Sequence, residues 1–331
     1  MSGGHSGEAI PVPIPNTEVK LSYADDTAFG GKVGCCQTFF LFMRVILANV
    51  LGYCMGVRRA MEKAVNALNS NDSTKSLEKK VYSLGPLIHN HSALNMLSEM
   101  GLSILKENEL DKIDFNSTVI IRAHGIPPCT LENLHNKNCS IINATCPRVV
   151  ANQKTVSKYA DLDYTIVFAG DKNHGEVTAI AGYAGDKFIL LENIDDALKL
   201  KASNKLDKKS VLLSQTTFSP KVFNDIANIL LSSYKDLKII NTICPATKER
   251  QKALLELCPK VDGILVVGGK NSANTQRLFQ IATDNCRNSA LIETADEIPD
   301  YFFKLDKVGI TAGASTPDDV ILSVQKRLKL V

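Results

Sequence analysis

The 331-residue chain has no apolar run near the ~18 residues that a membrane-spanning helix needs. Its most apolar stretch, residues 38–43, stops at Arg44. It has little charge imbalance: 38 Lys+Arg against 35 Asp+Glu leave a net charge of +3. That charge, with no Lys/Arg block interleaved with aromatics, argues against nucleic-acid binding. It has no G-x-G-x-x-G fingerprint and no P-loop, so no tightly bound nucleotide is expected. It has no C-x₂-C pair, which excludes zinc ribbons and the bacterial ferredoxin run. It shows no secretory signal, and its nine cysteines are an odd number. A disulfide framework is therefore not expected, and the chain belongs in a reducing compartment, the cytoplasm.

Residues 1–42 differ from the rest. They carry Gly, Pro and Ser, no Arg, and four acids (Glu8, Glu18, Asp25, Asp26). This fits neither a transit peptide nor a secretory signal and reads as a disordered extension, with Met43 as the expected true start.

From Met43 onward, short runs of Val, Ile and Leu alternate with helical patterns. The runs fall at 45–48, 81–84, 119–121, 166–169, 211–213, 239–240 and 264–267. Between segments of helical spacing such as 57–68, 221–231 and 246–257, they read as buried parallel strands of an α/β protein.

The pattern also repeats. Ile142-Asn143-Ala144-Thr145-Cys146-Pro147 resembles Ile240-Asn241-Thr242-Ile243-Cys244-Pro245, 98 residues on. Gly170-Asp171-Lys172-Asn173-His174 resembles Gly268-Gly269-Lys270-Asn271-Ser272 at the same offset. Thr216-Thr217-Phe218-Ser219-Pro220 parallels Gly313-Ala314-Ser315-Thr316-Pro317 at 97. A weaker copy upstream contains Cys54 and His124. Three lobes around a pseudo-threefold axis are expected: residues 43–145 with the N-terminal strand, 146–240, and 241–331. Ligands of parallel sheets gather at the carboxyl ends of strands, where every one of these polar motifs is expected.

Three cysteines then aim at one centre. Cys146 and Cys244 precede a proline that opens a helix, and a helix N-terminus favours thiolate. Three thiolates would repel unless a soft cation binds them, and an iron–sulfur cubane held by three cysteines leaves one iron open. Cys54, Cys146 and Cys244 are the candidate ligands. Zinc on the same cysteines, an aconitase-like hydro-lyase and a non-catalytic iron–sulfur sensor remain open on the residues alone. His89, His124 and His174 lie in polar turns, as do Thr216, Thr217, Ser272, Asn274 and Ser315. Together they suit a water-excluding anion pocket, able to hold a diphosphate without lysine. Glu176 is the carboxylate in these turns and could donate protons if burial raises its pKa.

These residues resemble a known family. Gly52-Tyr53-Cys54-Met55-Gly56-Val57, Arg122-Ala123-His124-Gly125, Ala144-Thr145-Cys146-Pro147, His174-Gly175-Glu176-Val177, Ser214-Gln215-Thr216-Thr217, Asn271-Ser272-Ala273-Asn274 and Thr311-Ala312-Gly313-Ala314-Ser315 look like the LytB/IspH family of 4-hydroxy-3-methylbut-2-enyl diphosphate reductases. The resemblance runs from about Met43 to the C-terminus. It implies a three-lobed α/β trefoil of small parallel sheets flanked by helices, with a [4Fe–4S] cluster at the centre on Cys54, Cys146 and Cys244 and one open iron. It implies reductive loss of the substrate's allylic hydroxyl, giving isopentenyl and dimethylallyl diphosphates in the last step of the non-mevalonate isoprenoid pathway. It places the diphosphate on His89, His124, Ser272, Ala273, Asn274 and Ser315, with Thr217 alongside. It makes Glu176 the proton relay beside Thr216 and His174, and a ferredoxin or flavodoxin the electron donor. Three departures stand out. Ala273 replaces a serine, which removes one hydroxyl but keeps the backbone N–H. Gly175 replaces a proline, which is expected to hold Glu176 less firmly. Ala151 and Gln153 stand where the family commonly has Lys and His.

Overall fold

The computed structural model describes residues 43–72 and 79–330, so the expectations about residues 1–42 lie outside the described residues. Twelve strands among them form three separate four-stranded sheets, all parallel.

The N-terminal strand β1 (Arg44–Leu47) leads to helix α1 (Met55–Asp72). The first sheet then follows as β2 (Val81–Leu84), α2 (His91–Glu99), β3 (Leu102–Leu105), β4 (Thr118–Ile121), α3 (Pro128–His135) and β5 (Ser140–Asn143). The second follows α4 (Pro147–Asp161) as β6 (Thr165–Ala169), α5 (Gly175–Ala184), β7 (Phe188–Leu191), α6 (Ile194–Ser203), β8 (Ser210–Ser214), α7 (Pro220–Leu231) and β9 (Lys238–Ile239). The third follows α8 (Pro245–Leu257) as β10 (Gly263–Val267), α9 (Ala273–Asn285), β11 (Asn288–Ile292), β12 (Lys307–Ala312) and the closing helix α10 (Asp318–Lys329).

The strand orders are β3-β2-β4-β5, β7-β6-β8-β9 and β11-β10-β12-β1. The same order occurs three times, but the last place in the third sheet is filled from the other end of the chain. This corrects the expectation that the N-terminal strand belongs with the first lobe. Arg44 to Leu47 run in register with Lys307 to Ile310 of β12. Val45 packs in the core on one face of the third sheet and Ile46 and Ala48 in the core on the other. Without β1, β12 would be left unpaired on one side.

Each sheet has apolar clusters on both faces, as parallel sheets require. The central strands β6, β8 and β10 are buried along their whole length, which is why they read as unbroken apolar runs. Each fourth strand (β5, β9, β1) leaves its own sheet and enters a helix that packs in the next lobe. α1 supplies Ala60, Met61, Ala64 and Leu68 to the first-lobe core, α4 supplies Val156 to the second, and α8 supplies Ala253, Leu254 and Leu257 to the third. All three crossovers carry one of the candidate cysteines.

Candidate active site

The three crossovers are built alike. Cys146 and Cys244 are the N-caps of α4 and α8, each with proline at the first helical position, and Cys54 immediately precedes α1. The Cys146 N–H donates to Ala123 O at 2.9 Å, Cys244 N–H to Thr216 O at 2.8 Å, and Cys54 N–H to Ala314 O at 3.0 Å. Each acceptor lies in the turn after the third strand of a sheet. Those same turns carry His124, Thr216 with Thr217, and Ser315. The turns after the first strand of each sheet carry His89, His174 with Glu176, and Ser272 with Asn274. Three turns in each of three lobes therefore supply the functional groups. One cavity of about 100 Å³ is lined by all of them: Cys54, Cys146, Cys244, His89, His124, His174, Glu176, Thr216, Thr217, Ser272, Ala273, Asn274 and Ser315.

At the cysteine end, the backbone is close. A Cβ on Gly56 would sit 2.5 Å from Cys146 Sγ, so only glycine fits there. Burial pushes the Cys146 thiol pKa up, against the pull of the Arg148 and Val149 N–H groups, and Cys54 and Cys244 push it further up. The helix N-terminus alone thus does not produce the thiolate expected there. Three crowded thiols need a cation to ionise together. Arg250 lies against this end, 3% exposed, with Nη2 donating to Gly52 O at 2.6 Å and its Nε without a partner. Desolvation lowers its pKa and the nearby Cys54 and Cys244 raise it. Three thiol ligands beside a buried guanidinium fit a metal centre that carries net negative charge, as an iron–sulfur cluster does.

Glu176 is 1% exposed at the start of α5. Its Oε2 accepts the Thr216 hydroxyl at 2.6 Å, and its Oε1 accepts the Thr216 N–H at 2.9 Å and the Asn152 amide at 3.4 Å. Burial raises its pKa to about 7, and the hydrogen bonds from Thr216 and Asn152 only partly oppose this. A Cβ at Gly175 would lie 3.1 Å from the Arg122 guanidinium, so the missing side chain makes room for that cation. Arg122 is fixed in turn by Glu107 at 2.7 Å. Gln153, at the second unusual position of α4, lays its side chain against Gly125, whose φ of +75° also requires glycine.

The three histidines pack ring on ring, with centroids 4.8 Å apart for His89–His124, 4.9 Å for His124–His174 and 5.9 Å for His89–His174. Their ring nitrogens lie close enough together to hold a metal. His174, however, uses Nδ1 to accept the Glu176 N–H at 3.1 Å, which puts its proton on Nε2. It is therefore a donor aimed at the cavity rather than a ligand. Burial lowers all three pKa values: His174 to about 4, His124 well below its ordinary value, and His89 less. Asn274 is 4% exposed with its Nδ2 unpartnered, and Ser315 Oγ donates to His89 O at 3.0 Å. The histidines, Ser272, Asn274 and Ser315 thus gather polar groups at this end of the cavity, with the Asn274 amide still lacking an acceptor.

Sequence reasoning missed Arg122, Asn152 and Arg250. Arginine or asparagine inside a helix or strand end usually marks a solvated face, and only their placement among buried neighbours gives them away.

A sequence profile of the LytB protein family matches residues 45–329. A 4-hydroxy-3-methylbut-2-enyl diphosphate reductase of Treponema denticola is 45% identical over 290 residues, covering 86% of this chain and 99% of that one. One from Caldanaerobacter subterraneus subsp. tengcongensis is 41% identical, covering 87% and 97%. A solved structure of (E)-4-hydroxy-3-methyl-but-2-enyl diphosphate reductase is 36% identical with a TM-score of 0.64, covering 87% of this chain and all of that one. The reductase structure from Plasmodium falciparum is 29% identical with a TM-score of 0.77, covering 87% of each. Matched over nearly all of its described length, and at identities well above those at which only a fold is shared, this chain belongs to the LytB family.

Proposed function

We propose that this protein is a 4-hydroxy-3-methylbut-2-enyl diphosphate reductase, acting at the last step of the non-mevalonate isoprenoid pathway. Two electrons and two protons enter, the allylic C–O bond breaks, water leaves, and isopentenyl or dimethylallyl diphosphate forms. The observation that carries this reading is the buried Glu176–Thr216 pair, which opens onto the same cavity as three cysteines and this gathering of polar groups.

The diphosphate lies among His89, His124 and the Nε2–H of His174, with Ser272, Asn274 and Ser315 opposite and Thr217 alongside. The N-terminus of α9 adds its free N–H groups, including that of Ala273. Neutral imidazoles are suited to donate hydrogen bonds, and the arriving anion draws their pKa values upward. A [4Fe–4S] cluster on Cys54, Cys146 and Cys244, with one open iron, would supply the electrons and a Lewis acid for the hydroxyl oxygen. Glu176, kept partly protonated at neutral pH by burial, delivers a proton through or beside the Thr216 hydroxyl. A ferredoxin or flavodoxin is the electron donor. No helix among the described residues is long and apolar enough to cross a membrane, and the electron-fed, thiol-bound centre suits the reducing cytoplasm.

The test is turnover. Anaerobic holoenzyme given the hydroxy-allylic diphosphate and reduced viologen should yield both isomeric diphosphates, two electrons consumed per product. Chemistry on that substrate without any reductant would point instead to an aconitase-like hydro-lyase.

A further inference from the structure

The cavity is assembled from separate lobes, so something must set their register. Ser272 and Asn274 ride on the first turn of α9 in the third lobe, whereas Glu176, Thr216 and Thr217 belong to two turns of the second. One side chain joins them. Arg277, one turn along α9, sends Nη2 to both carboxylate oxygens of Asp171 at 2.7 Å and Nε to Thr217 O at 2.7 Å. Its guanidinium lies 4.8 Å from the centroid of the buried Phe218 ring. The contacts continue inside the second lobe. Asp171 N–H donates to Gln215 Oε1 at 2.8 Å, and Gln215 Nε2 donates to Thr217 Oγ1 at 2.8 Å. Arg277, Asp171, Gln215 and Thr217 therefore form a closed ring. Asp171 opens the turn that ends at His174 and Glu176, so the ring ties both second-lobe turns to the helix that carries the third-lobe donors.

We propose that Arg277 is a positioning residue that fixes the phosphate-holding end of α9 against the proton-delivering turns of the second lobe. Exposed ion pairs contribute little, and this one is only partly shielded, the Arg277 side chain 19% exposed and that of Asp171 38%, so the bond to Thr217 O and the stacking on Phe218 matter as much as the charge. It also makes three kinds of contact that only a planar guanidinium can make together. Lysine could restore the charge opposite Asp171 but not the bond to Thr217 O or the stacking on Phe218. Small errors in relative placement are costly where donors converge on one ligand.

The inference rests on the reductase reading, and the test separates the two. Reconstituted holoenzyme is compared as wild type, Arg277→Gln, Arg277→Lys, Asp171→Asn and the double variant Asp171→Asn/Arg277→Gln. KM, kcat, iron content, melting temperature and the affinity for inorganic diphosphate by calorimetry are measured for each. Arg277→Gln should raise KM and weaken diphosphate binding by about tenfold or more, with iron content unchanged. Arg277→Lys should recover part of that loss. The double variant should be no worse than Arg277→Gln, because both changes open the same ring. Lower thermal stability with unchanged KM and diphosphate affinity would make Arg277 a mere brace and overturn the inference, as would multiplicative losses in the double variant. Absence of wild-type turnover would instead sink the reductase reading, while diphosphate affinity would still decide the role of Arg277.

Discussion

Glu176 is a carboxyl group kept away from water, and that has consequences in two directions. Its folded pKa, about 7, lies above the ordinary 4.5. Burying it therefore contributes stability below pH 4.5, and that contribution is lost as pH rises through 7. Glu176→Gln keeps the shape and the acceptor for the Thr216 N–H. The variant should melt above wild type at pH 8, with the gap closing toward pH 4.5; a gap independent of pH would contradict the buried, raised carboxyl. The same substitution should cut reduction by about 10²–10⁴-fold with iron content unchanged, as expected for loss of a proton donor. In the wild type, kcat/KM should fall above pH 7 as the free enzyme's Glu176 ionises, and the variant should lose that limb. At this scale the sequence was most legible where a residue type is rare and its chemistry narrow. Cysteine before proline, histidine in a turn and the acid Glu176 just after one all stood out. Asn152 did not, although it bonds both Glu176 and Ser214 O, because its role depends on which helix face meets the second sheet.

Helix starts do most of the placing. α4 and α8 begin on Cys-Pro, α9 on Ser272, and α5 on His174, so each of these side chains is held at a helix N-cap. Cys54→Ser, Cys146→Ser and Cys244→Ser should each lose the cluster on anaerobic reconstitution. Cys139→Ser should retain it, since that thiol packs beside Leu134 O in a first-lobe core. Gly56→Ala makes a sharper test of how tightly α1 approaches α4. Its new methyl would meet Cys146 Sγ, so iron content should drop while far-ultraviolet circular dichroism stays native; full iron loading would contradict the close packing. Strands β6, β8 and β10 could be read from their apolar runs because both faces are buried. The short strand β9, Lys238–Ile239, is exposed, and its neighbouring apolar run was legible mainly from its place in the repeat.

For the whole molecule, the repeat revealed three lobes but not how the chain closes them. Pairing of β1 with β12 joins residues more than 250 apart in sequence, and no local pattern reports such a contact. The closure also explains why the first cysteine precedes the first complete sheet: the repeat unit is cut so that its last strand stands at the start of the chain. A protein beginning at Met43 keeps β1 and should remain soluble and active. One beginning at Gly52 loses it, exposes the edge of β12 and removes Val45, Ile46 and Ala48 from two cores. That protein should aggregate or unfold, and a stable monomer lacking residues 1–51 would contradict the closure described.

All three scales meet in the claim that three equivalent crossovers deliver three cysteines to one centre that meets the substrate. The most direct measurement is iron and sulfide analysis of anaerobically prepared protein, followed by Mössbauer spectra with and without the hydroxy-allylic diphosphate. Near-stoichiometric iron and sulfide for a four-iron cluster are expected, with the signal of one iron altered by substrate. No cluster after careful reconstitution, zinc in its place, or a cluster indifferent to that diphosphate would contradict it.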